Sequence, residues 1–200
     1  MLLNIIHPHM YKGTGDTLVL GPIEQFAERD KRVSEFISTA LNGGVDVLMH
    51  KNDSGDMMKS IVEEMVLYRD SHFKILFDSR VNICTTTQWG MPLPDLRPET
   101  FSQDVWDRAI EIYDSRKSLY EKVRGHTKTM FIGGVLENCV ANAMGYFQDE
   151  FGFAGKDIFY VPELCVSIDS VQLGLVDVKF KERGFSELTT EQALNLMKRK

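Results

Sequence analysis

No stretch of this 200-residue chain approaches the roughly 18 consecutive apolar residues that a membrane-crossing helix requires, so no membrane association is expected. Basic residues are in deficit: 23 Lys and Arg against 29 Asp and Glu leave a formal charge of -6. That balance argues against a nucleic acid partner, which would call for a basic face. Cysteine is scarce and odd in number. Cys84, Cys139 and Cys165 show neither a disulfide framework nor zinc-ligand spacing, so a reducing, cytoplasmic setting is expected. The opening run MLLNIIHPHM lacks a basic leader and is interrupted by His7 and His9; it reads as a strand rather than a signal peptide. Internal repeats and low-complexity tracts are absent as well.

What is present is enough sequence for one domain, residues 1–200, with a full apolar core. LLNII at 2–6 suits a buried strand. After the turn-rich KGTGD and the breaker GP, apolar residues from Ile23 to Leu41 recur at three- and four-residue steps. They predict an amphipathic helix that exits at Gly43–Gly44. VDVLMH at 45–50 reads as a second strand, a helix follows over about 53–68, and FKILF at 73–77 reads as a third strand. VNICTTT has β-branched character. QWGMPLPDLRPET is a proline-rich loop, either functional or a plain surface connection. A helix over about 103–123, a strand TMFI at 129–132, a helix CVANAMGYFQDEF and a strand DIFYV at 157–161 come next. TTEQALNLMKRK closes the chain as a helix, with Thr189 and Gln192 at capping-box spacing. Alternating strands and helices predict an α/β fold: a three-layer αβα, Rossmann-like, mostly parallel sheet with helices on both faces. Ligands of such sheets sit beyond the carboxyl ends of the strands, where the strand order reverses.

Cys139 meets that positional test. FIGGVLENCV runs a strand into two glycines and opens a helix near Glu137 or Asn138, with the cysteine in its first turn. Unpaired N–H groups and the positive end of the helix favour a thiolate there, and could hold a developing oxyanion. The alternative is a small buried hydrophobe.

FIGGVLENCVANAMGYFQDEFGFAGKDIFYVPELC resembles the nucleophile region of the isochorismatase-like cysteine hydrolases, and LLNIIHPHMYKGTGDTLVLGP with VDVLMHKN resembles the nicotinamidase-type opening. The resemblance implies a hydrolase acting on a small amide or related C–N bond through a covalent intermediate on Cys139. Gly134, Val135 and Asn138 of the turn are then placed against the substrate, a small molecule. The family's aspartate and lysine do not transfer: Ile6 or His7 stands where the acid is expected, and Lys117, Lys122 and Lys128 fall too close to the following strand. The alternative reading is therefore a catalytically impaired relative, kept as a binding or assembly module. His7 and His9, just after the first strand, are candidate bases for a Cys–His dyad, or alternatively flank Pro8 in a solvated turn. His7, His9 and His50 together are a conceivable but unpatterned metal set, so neither metal nor cofactor is expected. Trp89 either covers a substrate or packs its loop. The resemblance further implies a homo-oligomer.

Overall fold

The computed structural model describes residues 1–6, 24–51, 75, 78–85, 123–167 and 170–198. β1 (Leu2–Ile6) is buried along its whole length, as befits an apolar run covered on both faces. Helix α1 (Glu24–Asn42) turns Val33, Phe36, Ile37, Ala40 and Leu41 inward, the stripe expected from the sequence. Its exit is closed by the Gly43 N–H on the Thr39 carbonyl (2.9 Å) and the Val45 N–H on the Ala40 carbonyl (2.9 Å). β2 (Asp46–Lys51) and β3 (Val81–Thr85) follow. β4 (Thr129–Val135) leads through a π-helical turn, Leu136–Val140, into α2 (Ala141–Phe151). β5 (Ile158–Val166), α3 (Ser170–Arg183), the two-residue β6 (Ser186–Glu187) and α4 (Thr190–Lys198) complete the described elements.

The six strands form one sheet in the order β3-β2-β1-β4-β5-β6, and every pairing is parallel. The predicted αβα arrangement is thus found, with apolar clusters on both faces. One joins α1 and α4 to the sheet through Val33, Phe36, Ile37, Ala193 and Met197. The other joins α2 and α3 through Val140, Met144, Phe147, Val176 and Phe180. Strand order runs outward from β1 to β3, then restarts on the opposite side of β1 with β4. The switch point lies between β1 and β4, where doubly wound sheets open a crevice above their carboxyl ends.

Several elements differ from the sequence expectation. VNICT, given only β-branched character from the sequence, forms a strand; of FKILF, read as the third strand, only Ile75 is described, and it lies in a helical turn with its carbonyl accepting the Asp78 N–H at 3.1 Å. Asp78 and Arg80 then lock the entry to β3, with Arg80 Nε and Nη2 donating to the carboxylate at 2.9 and 2.6 Å and Nη1 reaching the Leu41 carbonyl. β-branched Val81, Ile83 and Thr85 suit the strand that follows. β5 continues past Val161 through Pro162 because its register against β4 is irregular there, so the missing N–H breaks no regular ladder. Helix α3 and β6 occupy a region to which the sequence assigned no element. The predicted helix over 53–68 and the proline-rich loop with Trp89 lie outside the described residues. Of the predicted helix over 103–123, only Val123 is described, and it is helical.

Candidate active site at the strand switch point

β1 and β4 meet at Ile6 and Gly133, which are register partners. Gly133 has φ +110, and a Cβ built on it would lie 2.2 Å from the Ile6 carbonyl oxygen. Only glycine permits this approach, so the first glycine of the FIGG motif joins the two central strands. Gly134 and Val135 are buried in the last residues of β4. The strand therefore runs three residues beyond the expected end at Ile132.

The chain leaves the sheet not by a regular helix but by the π-helical turn, and the Ala141 N–H reaches back to the Leu136 and Asn138 carbonyls. Cys139 sits in that turn, half-buried, ahead of α2 instead of inside its first turn. Such wide turns concentrate at functional sites. Burial pushes the Cys139 thiol above its ordinary range, and a backbone hydrogen bond opposes this only partly. Desolvation thus works against the thiolate that the helix-mouth argument favours. Asn138 is exposed at the rim, accepting from Asn142 Nδ2 through its Oδ1 at 3.1 Å, while Glu137 is turned inward and buried.

Two groups near the switch point were not singled out from the sequence. Cys165 stands opposite Gly133 on β5, and burial raises its thiol to about 12. Arg29 and Asp30 are both buried on α1, with Arg29 Nη1 on Asp30 Oδ1 at 2.9 Å. Their signal was available: 29 and 30 continue the inward stripe of 33, 36, 37, 40 and 41, a place that ordinarily holds apolar residues.

His50 is fully buried at the end of β2, with Nε2 2.9 Å from Asn4 Oδ1. The Asn4 amide donates to Thr129 Oγ1 at 2.6 Å, so its oxygen accepts from the imidazole. This polar chain crosses three central strands. Among the described residues no group of three or more His, Cys, Asp and Glu side chains is gathered to hold a metal ion. His7, His9 and Trp89 lie outside the described residues.

A cysteine turn after the fourth strand of a 3-2-1-4-5-6 parallel sheet gives the chain the fold of the isochorismatase-like hydrolases. Its solved structural neighbours include the pyrazinamidase of Pyrococcus horikoshii in complex with zinc, at TM-score 0.56 and 14% identity over 94% of this chain and 98% of the other. A putative isochorismatase from Burkholderia xenovorans LB400 aligns at TM-score 0.54 and 13% identity, over 98% and 86% of the two chains. The MAR1 ribonuclease from Caenorhabditis elegans aligns at TM-score 0.54 and 10% identity, over 96% and 78%. No family model and no curated protein sequence matches the chain. The resemblance drawn from the cysteine turn therefore agrees with the solved structures in fold. Zinc accompanies the pyrazinamidase, but the described residues of this chain offer no comparable donor set.

Proposed function

We propose that this protein is a divergent isochorismatase-like cysteine hydrolase that cleaves a small amide or related C–N bond through a covalent intermediate on Cys139. The observation that carries the reading is the position of Cys139: the Gly133 seam and the π-helical turn deliver it to the switch point between β1 and β4. In this reaction the Cys139 sulfur attacks the substrate carbonyl carbon after losing its proton. The tetrahedral intermediate collapses with departure of the amine, which takes up a proton. Water then hydrolyses the thioester to a carboxylic acid and restores the thiol. Gly134, Val135 and Asn138 bound the substrate in this reading, with Trp89 as a further contact.

Because burial disfavours the Cys139 thiolate, a base must lower the cost of deprotonation. His7 and His9 are the candidates, since the chain that carries them leaves β1 at Ile6, the register partner of Gly133. The upward push on the thiol also favours the second reading, a catalytically impaired relative serving in binding or assembly. Alkylation of Cys139 by iodoacetamide across pH 5 to 9, followed by peptide mass spectrometry, separates the two. A working dyad gives Cys139 labelling near neutral pH that exceeds Cys165 labelling and falls about tenfold or more in His7→Ala or His9→Ala. Labelling that rises only toward pH 9 and ignores both substitutions supports the non-catalytic reading. Homo-oligomerisation is part of the proposal; exposed Leu175 and Val178 on α3 support it.

A further inference from the structure

Arg29 is out of place by the ordinary rules of burial. It is 6% exposed, and its neighbour Asp30 is 5% exposed. Burying a guanidinium is costly unless its donors are met. Among the described residues Nη1 alone is met, through Asp30, while Nε and Nη2 are buried with no hydrogen-bond partner. Those two atoms form one edge of the planar guanidinium, spaced to grip both oxygens of a carboxylate.

The position of this edge follows from the helix. α1 ends beside the amino end of β2, so it runs antiparallel to the strands and its first turns lie toward their carboxyl ends. Arg29 is one turn above Val33 on the inward stripe, and α1 packs on β5 as well as β2. The packing of α1 on β5, whose Cys165 stands opposite Gly133, sets the Arg29 end of the helix on the carboxyl side of that strand, and the Arg29 charge lowers the Cys165 thiol against the larger push of burial.

We propose that the Nε–Nη2 edge of Arg29 is an anion subsite for the carboxylate of a monoanionic ligand, so that the substrate is a small amide bearing a carboxylate. The donor geometry selects this class: Nε and Nη2 present two parallel N–H groups that match the two oxygens of one carboxylate, and the Asp30 carboxylate beside them opposes a phosphate dianion more than a monoanion. Naming the ligand a substrate rests on the hydrolase reading above; the subsite itself does not.

The test is calorimetric binding to the full chain carrying Cys139→Ala, which removes turnover. The probes are oxamate, malonamate, succinamate and glutaramate, their uncharged counterparts in which methyl replaces carboxylate, and inorganic phosphate. At least one carboxylate should bind about tenfold or more tighter than its uncharged counterpart. In the charge-balanced Arg29→Met/Asp30→Asn variant that preference should vanish while the chain still melts cooperatively, because a buried ion pair has been replaced by apolar and neutral groups. Should that variant not fold, Arg29→Lys should keep the fold and weaken the preference severalfold, since an ammonium cannot make the two-pronged contact. No carboxylate preference in any pair, a preference undiminished in the folded Arg29 variants, or phosphate binding tighter than every carboxylate overturns the proposal. If the preference holds while the unsubstituted protein neither acylates nor turns over these amides, the hydrolase reading fails and the subsite stands.

Discussion

At the scale of single residues, Gly133 carries two constraints at once. A methyl group there would have to share space with the backbone of Ile6, which cannot move without breaking the β1–β4 ladder, and φ +110 is strained for any L side chain. Gly133→Ala is expected to cost about 3 kcal/mol or more, or to prevent folding, as read by urea denaturation. Gly174 on α3 is the matched contrast, since a Cβ there meets nothing within 4 Å. Gly174→Ala should stabilise by about 0.5 to 1 kcal/mol through helix propensity. Equal effects of the two substitutions would contradict the close approach at the switch point. Residue identity was partly legible in the sequence here. The paired glycines and Cys139 announced a special turn, but chemistry at Arg29 was hidden because a charged pair within an amphipathic pattern ordinarily reads as solvated surface.

Elements were legible where one physical signal dominated. α1 shows an unbroken inward stripe, and its ends fall within a residue of those expected. α4 begins with the reciprocal capping box seen in the sequence: the Thr189 N–H reaches Gln192 Oε1 at 2.9 Å, and the Gln192 N–H reaches Thr189 Oγ1 at 3.2 Å. α3 was missed because its buried residues, Val176 and Phe180, make a thin stripe interrupted by Gly174 and by outward Leu175 and Val178. β3 was read only as β-branched because VNICT is a short run, and periodicity alone does not settle such runs. The Asp78–Arg80 turn leads into it and holds the Asp78 carboxyl at about 2, below its ordinary 3.8, through hydrogen bonds and charge from Arg80. Folding lowers this pKa, so the unfolded chain binds the proton first. The contribution is whole above about pH 4 and fades as pH falls toward 2. Asp78→Asn should therefore flatten the dependence of stability on pH across that window, measured by thermal denaturation at pH 2, 3 and 4. A slope equal to that of the unsubstituted protein would show that the turn does not hold Asp78 as described.

For the molecule as a whole, the same architecture that creates the switch point leaves its outer surface unevenly finished. β6 contributes only two residues to its edge of the sheet, too short a template for strand addition. Association of copies through that edge is thus disfavoured, and the helical layers are where the described residues show an apolar contact surface. α3 offers one: Leu175 is 62% exposed and Val178 54% exposed, both on the outward side of a helix whose Val176 and Phe180 are committed to the core. Lys179 and Lys181 follow Val178 along the same helix, and charged Asp177 separates it from Val176. An apolar centre beside charged residues is the pattern of an association surface. If copies of this chain associate through α3, light scattering coupled to size exclusion should give a dimer or larger species. Leu175→Lys/Val178→Lys should shift it to the monomer while leaving the melting temperature of the fold within a few degrees, because neither side chain packs in the core. A monomer for the unsubstituted protein across the micromolar range removes the oligomer from the proposed function. An oligomer indifferent to the double substitution moves the contact away from α3. In neither case does Cys139 lose its place, because Ile6, Gly133 and the π-helical turn that position it belong to one chain.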